Sequence, residues 1–310
     1  MHNPPGPVVC VSYLALAELW TVPQFPQANH GAPILGMERS IAADGPMTAA
    51  ALASMGAPVR MISNEIGDDA PGQFVHDWLA ERHLTTHTPQ SGIQTPRIVV
   101  AADDLHTRTW FAHLPGIADN LTRADLSSIA GASWLYVEAY DVLGSAVLEA
   151  IRAGKAANVP LLLNLGGSAL SEPVRQTVTG YPKLLIQTNV DDDEYGSASV
   201  VAADLLNTAD AAWVIVTAGA EGSVAVSRTV EVSVPAVRME VRHTHCAGAA
   251  YSAGLLYGLR GGWTMAQSML LGSASGALRC ARPQDSPLPS LDELLAVIEA
   301  LSTEGFRDSA

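Results

Sequence analysis

His243, His245 and Cys246 are the side chains whose types and spacing most readily suggest chemistry. Histidines two residues apart project to one side of an extended segment, and imidazoles together with a thiolate are good ligands for transition metals. Cys246 also stands immediately before Ala247-Gly248-Ala249, small residues that open a helical pattern, and a helix start lowers a thiol's pKa. The triplet therefore reads either as part of a metal site or as a reactive His/Cys centre. As a metal site it lacks a fourth ligand, since no Cys or His pattern elsewhere in the chain supplies one. The run Asp191-Asp192-Asp193-Glu194 invites a metal reading as well, but consecutive carboxylates are usually a solvated face.

Composition limits what such residues can serve. The 310 residues carry 17 basic and 31 acidic side chains, a formal net charge of −14. That surface repels a phosphate backbone, which argues against nucleic-acid binding through a basic face. Only two of the basic residues are lysines, Lys155 and Lys183, and neither sits in a glycine run, so no P-loop is present. Hydrophobic residues make up 48% and charged ones 15%, ample for a core. No apolar run approaches the roughly 18 residues of a membrane span, and the apolar stretch 8–16 lacks the basic flank of a signal peptide. Three cysteines without paired spacing, Cys10, Cys246 and Cys280, suit a reduced cytosol. The expectation is a soluble cytoplasmic protein that takes a small-molecule ligand rather than a nucleic acid or a membrane.

The elements that must position these residues follow from alternating apolar runs and helical patterns. Residues 7–14 and 59–63 read as buried strands, 46–55 as an alanine-rich helix with proline in its first turn, and 72–82 as an amphipathic helix. Residues 97–102 and 108–113 read as a hairpin about the polar turn 103–106. From residue 134, strands at 134–137, 160–164, 184–188 and 213–217 alternate with helices at 146–157, 173–179 and 200–206. Strands apolar almost throughout, with helices between them, imply a parallel sheet covered on both faces. A second hairpin, 223–226 with 230–234, and three helices, 247–259, 265–280 and 291–301, close the chain. Residues 1–310 thus read as one α/β domain with a small β-rich excursion from the N-terminal third.

In such a sheet ligands bind beyond the carboxyl ends of the strands. Four segments fall there: Ala42-Ala43-Asp44-Gly45-Pro46-Met47-Thr48, Thr188-Asn189-Val190-Asp191-Asp192, Thr217-Ala218-Gly219-Ala220-Glu221-Gly222 and His243-Thr244-His245-Cys246-Ala247-Gly248-Ala249. Small residues leading into a helix expose backbone N–H groups and suit a phosphate. Taken alone, each segment is more often a tight strand-to-helix turn and nothing else.

Together, in this order and spacing, they resemble the ribokinase-like (PfkB) family of sugar and nucleoside kinases over nearly the whole chain. The first segment occupies the family's G-G-x-x-x-N-x-A register, with Met55-Gly56 at the L-G that follows. Residues 62–72 (ISNEIGDDAPG) look like its I-G-x-V-G-x-D-x-x-G, and Leu114-Pro115-Gly116-Ile117-Ala118-Asp119-Asn120-Leu121 resembles P-G-A-N-x-x-L. Residues 189–192 stand at N-x-x-E with a shorter carboxylate, and 217–222 match T-x-G-x-x-G. The resemblance implies a ribokinase-like three-layer α/β/α sandwich with a mostly parallel central sheet. It also implies a small β-rich lid over the substrate site, contributed by about 15–43 and 95–113. ATP and Mg²⁺ are the implied cofactors. Asn189, Asp192, Thr217, Gly219, Gly222, Ala247, Gly248 and Ala277 would form the nucleotide side, with Asp192 toward the Mg²⁺ water shell. Ala17, Glu18, Ala43, Asp44, Met47, Arg108 and Glu138 would form the substrate side.

The resemblance breaks where the chemistry should be. The family's D-T-x-G-A-G-D ends in an Asp that takes the proton from the attacking hydroxyl, while its G-A-G amides form an anion hole. Here the base position is Ala249, and Cys246 replaces the first glycine. The paired glycines are Ala42 and Ala43, and the sugar-binding Asn is Met47, whose thioether cannot both donate to and accept from a hydroxyl. The expected Asp near the end of the first strand falls on Ala17, beside Glu18, leaving Glu138 as a polar candidate at a strand end. Three functions stay open: a pseudokinase that keeps a pocket; an active sugar or nucleoside kinase using His243 or His245 as base; and a different reaction using His243, His245 and Cys246. Ile34, Leu35, Ile98, Val100, Trp110 and Phe111 give the lid more apolar surface than a thin sheet can bury, which predicts a homodimer through it.

Overall fold

The computed structural model describes residues 6–85, 88–103 and 107–307. Strand β1 (Val8–Val11) is apolar and buried at every position, as a parallel strand covered on both faces must be. The apolar run continues through Leu14 to Ala17, but the chain changes sheet inside it. Asn64 makes the break tolerable by standing in for a strand: its Oδ1 accepts from Leu14 N at 2.7 Å and its Nδ2 donates to Leu14 O at 3.1 Å. Strand β2 (Ala15–Thr21) then pairs antiparallel with β3 (Gly36–Ala42) in a second sheet. Residues 15–17 therefore belong to this second sheet.

Helix α1 (Asp44–Ser54) follows β3. Strand β4 (Val59–Ile62) runs parallel to β1, and α2 (Ala70–Glu81) starts on Asp69, whose carboxylate accepts from Gly72 N at 2.8 Å. Strands β5 (Arg97–Ala102) and β6 (Arg108–His113) pair antiparallel and complete the second sheet in the order β3-β2-β5-β6. Of the expected turn 103–106, residues 104–106 lie outside the described residues; Asp103 N donates to Thr107 O at 3.2 Å across it.

A short helix α3 (Ile117–Thr122) leads into the alternating half: β7 (Trp134–Glu138), α4 (Ser145–Ala156), β8 (Leu161–Asn164), α5 (Glu172–Val178), β9 (Leu184–Asn189), α6 (Ala198–Ala209) and β10 (Trp213–Ala218). Strands β11 (Gly222–Val226) and β12 (Glu231–Val234) form the second hairpin. Helices α7 (Ala247–Arg260), α8 (Met265–Ala281) and α9 (Leu291–Arg307) follow. The main sheet runs β12-β11-β10-β9-β8-β7-β1-β4 and is parallel from β10 to β4.

Alternate residues of its strands feed two separate cores. Val9, Val11, Leu135, Leu161 and Leu163 pack with Ile151 of α4, Val174 of α5 and Leu206 of α6. Val8, Cys10, Tyr136 and Leu162 pack with Leu52 of α1, Leu79 of α2, Leu255 of α7 and Met269 of α8. These layers make the α/β/α sandwich that was expected. Helices α7 and α8 approach so closely that a Cβ on Gly254 would strike the backbone at Leu271 and Gly272. The second sheet is thin: every residue of β6 is exposed, Trp110 and Phe111 included. Among the described residues no helix is long and apolar enough to cross a membrane.

Candidate functional site

Strand order reverses between β1 and β7, the point at which an open α/β sheet leaves a crevice beyond its carboxyl ends. Glu138 ends β7 there and is fully buried. Its Oε1 accepts from Ser12 Oγ at 2.9 Å and from the backbone N–H of Gly45, while Oε2 has no partner among the described residues. Gly45 must be glycine because a Cβ would run into Ser12 and the Glu138 carboxyl. Burial first, and then the neighbouring Asp44 charge, pushes the Glu138 pKa well above the usual carboxylate range. The protonated form of Glu138 is thereby favoured.

Asp44, the first residue of α1, stands in front of it. Its Oδ2 accepts from Tyr140 Oη at 2.5 Å and from Asn164 Nδ2 at 2.9 Å. The same Nδ2 donates to Tyr136 Oη at 2.9 Å, and Gly166 N donates to Asn164 Oδ1 at 3.1 Å, which fixes the amide's orientation. Burial, followed by the Asp44 charge, keeps both phenols protonated well past their ordinary value. Just before, Ala43 has φ 73° and ψ 158°, a backbone region that glycine occupies freely and alanine does not. The turn keeps a glycine's conformation without the glycine.

Helix α7 meets α1 at this point. Thr48 Oγ1 donates to Ala249 O at 3.1 Å, and both residues are fully buried. Cys246 caps α7 in the left-handed region at φ 59°. Its Sγ lies 3.3 Å from His245 Nε2, which itself lies 3.0 Å from Ile41 O and so carries the ring proton toward that carbonyl. Burial, then the Arg279 charge, pulls the His245 pKa down to about 3. The thiol runs counter to the expectation drawn from its helix start: burial, then Asp44, pushes Cys246 up to about 12. Desolvation outweighs the partial charge of the helix terminus. His243 turns elsewhere, its Nε2 2.9 Å from Arg282 O. Among the described residues no group of three or more His, Cys, Asp or Glu is placed to hold a metal.

Between these elements and the ends of β8, β9 and β10 lies a cavity of about 980 Å³. Of the residues expected at a site, Asp44, Arg108, Asn189, Asp192, Thr217, Gly219, Gly222, Cys246, Ala247, Gly248 and Ala277 line it together. The strand ends explain this gathering: Asn189 closes β9, Thr217 is the next-to-last residue of β10, and Asp192 Oδ2 accepts from Ala220 N at 3.2 Å across the two loops. Arg108 arrives from the second sheet, donating to Thr244 O at 3.2 Å. Ala17, Met47, Glu138 and Ala249 are fully buried and do not form the wall; Glu18, Ala43, His243 and His245 are also absent from it. Met47 fills the core under α1 instead. Tyr140 and Asn164 line the cavity and were not anticipated. Asn164, the last residue of its strand, carried the one available signal: a polar side chain at a carboxyl end. A second cavity of about 540 Å³, around residues 210–213 and 227–230, sits at the opposite, amino-terminal ends of the strands and gathers none of these groups.

No curated protein sequence matches the chain. A family model described as pfkB family carbohydrate kinase matches residues 45–291. Among solved structures, the chain is similar to a ribokinase from Thermotoga maritima, with TM-score 0.77 and 17% identity over 95% of this chain and 99% of that one. It is also similar to Arabidopsis thaliana ribokinase complexed with ribose and ATP, with TM-score 0.74 and 15% identity over 94% and 98%. A Burkholderia thailandensis nucleoside kinase in complex with inosine gives TM-score 0.77 and 18% identity over 95% and 96%.

Proposed function

Since the chain belongs to the pfkB family of carbohydrate kinases, we propose that it is a member that keeps a small-molecule cleft and has lost efficient phosphoryl transfer. The observation that carries this reading is Ala249, a buried methyl in the first turn of α7 at the register of the family's base. A methyl cannot take the proton from an attacking hydroxyl, and loss of a positioned base costs about 10²–10⁴-fold in rate. Neighbours do not replace it well. His245 is neutral, with a pKa of about 3, and directs Nε2 at Ile41 O; Cys246 keeps its thiol proton.

The ligand is a sugar- or nucleoside-like molecule, the class named for the relatives bound to ribose or inosine. ATP with Mg²⁺ fits the outer part of the same cavity, where Asn189, Asp192, Thr217, Gly219 and the first amides of α7 at Ala247 and Gly248 share one wall. Bound there, it would supply the transferable phosphoryl group. The second sheet serves as the lid, and its exposed Met37, Trp110 and Phe111, with Leu35 just before β3, make it the surface of a cytosolic homodimer. Calorimetry with ATP, Mg²⁺, ribose and inosine, followed by turnover on a sugar and nucleoside panel, tests the reading. Binding without turnover is expected; rapid turnover by the unaltered chain overturns it.

A further inference from the structure

We infer that Asp44 makes the inner end of the cavity a site for a small polyol bearing a protonated amine, in preference to the neutral or phosphorylated sugar of the same skeleton. The inference rests on the ligand-binding reading above. Asp44 lines the cavity, and both donors that hold it, Tyr140 Oη and Asn164 Nδ2, act on Oδ2. Oδ1 has no hydrogen-bond partner among the described residues. Nor does Asp44 form an ion pair with any Lys, Arg or His among the described residues.

A purely structural role accounts poorly for this arrangement. A carboxylate serving only the start of its helix accepts from that helix's own N–H groups. Here the start of α1 has no side-chain cap, and the N–H of Gly45 goes to Glu138 instead. The helix terminus contributes only roughly half a positive charge at this wall. Glu138 behind it has a fully buried Oε2 without a partner among the described residues. One carboxyl group, one phenol and one amide, those of Asp44, Tyr140 and Asn164, thus line one end of the cavity, with Glu138 and Tyr136 buried behind them. Two arginines also line the cavity, Arg108 and Arg238, and neither pairs with Asp44; Arg108 comes from the second sheet and is turned to Thr244 O. An ammonium brings three N–H donors and the missing charge; a sugar phosphate brings a second negative charge.

The test is calorimetry on the full chain with hexoses and pentoses, each paired with the amino sugar of the same skeleton, at pH 7 and low salt. In at least one pair the amino sugar should bind about tenfold tighter. That preference should fall below about twofold in Asp44→Asn, read as the ratio within each pair whatever the change in the neutral partner's own affinity. Tyr140→Phe, which keeps the carboxylate and removes one of its donors, should retain the preference. Equal affinities within every pair, or a preference that survives Asp44→Asn, overturns the inference and leaves the ligand-binding reading standing. Stabilisation by K⁺ or Mg²⁺ alone that disappears in Asp44→Asn assigns the charge to an inorganic ion and also overturns it. Binding of neither member of any pair overturns this inference, and if inosine and ATP fail to bind as well the ligand-binding reading itself falls.

Discussion

Thr48 Oγ1 and the carbonyl oxygen of Ala249 are 3.1 Å apart and joined by a buried hydrogen bond, so the two helices whose first turns meet at the cleft are tied directly to each other. Thr48→Val keeps the shape and removes the donor. A net loss of about 1 kcal/mol in urea denaturation is expected, with Thr48→Ser nearly unaffected. Equal stability of Thr48→Val and the parent would show that the bond does not hold α1 to α7.

Ala43 sits at φ 73° and ψ 158° at the start of α1. Restoring glycine relieves backbone strain of about 1–3 kcal/mol, less the larger entropy glycine loses on folding. Ala43→Gly should therefore raise stability by about 1 kcal/mol, and Ala43→Val should lower it. Denaturation midpoints that move the other way would place the strain elsewhere.

Two buried groups give opposite pH dependences. Glu138, with its pKa well above the ordinary 4.5, keeps a proton in the folded chain that the unfolded chain has lost, so its contribution falls as pH rises above 4.5. His245, pulled from 6.5 to about 3, refuses a proton that the unfolded chain accepts, so stability falls as pH drops from 6.5 toward 3. Each slope is at most about 1.4 kcal/mol per pH unit, and between 4.5 and 6.5 they offset one another. Relative to the parent, Glu138→Gln should gain stability as pH rises above 4.5, and His245→Gln should gain it as pH falls below 6.5. Denaturation from pH 4 to pH 7 reads both differences; variant profiles parallel to the parent's would contradict the assignment.

Cys246 is raised from 9.0 to about 12, and Cys280 and Cys10 are raised too. Native alkylation at pH 8 should be at least about 100-fold slower than in urea, because only the thiolate reacts. Prompt labelling of the Cys246 peptide in the folded protein, followed by mass spectrometry, would restore the reactive-centre reading.

The sequence displayed the sheet because strands such as Val8–Val11 and Leu161–Asn164 are buried on both faces and therefore apolar without interruption. At Leu14 the apolar run continues, so only the resemblance implied a change of sheet there, and the partner that permits the break, Asn64, is 50 positions away. The outer cavity wall was legible through the resemblance, which set Asn189, Asp192, Thr217 and Gly219 together at the strand ends. At the inner end Asp44 was expected, but the groups that hold it were not. Tyr140 and Asn164 acquire meaning only through Asp44, 96 and 120 positions away, and the burial that raises Cys246 is a property of the packed loop, which a helix-start rule does not contain.

Phosphoryl transfer itself can be measured on purified protein with ATP, Mg²⁺ and a panel of sugars and nucleosides, comparing the parent with Ala249→Asp. The parent should show no sugar-dependent turnover above the ATPase background, and Ala249→Asp should raise turnover by about 100-fold or more if the pocket is otherwise intact. Sustained phosphorylation of any sugar or nucleoside by the parent, left unchanged or weakened by Ala249→Asp, would mean that the missing carboxylate is not what governs this cleft.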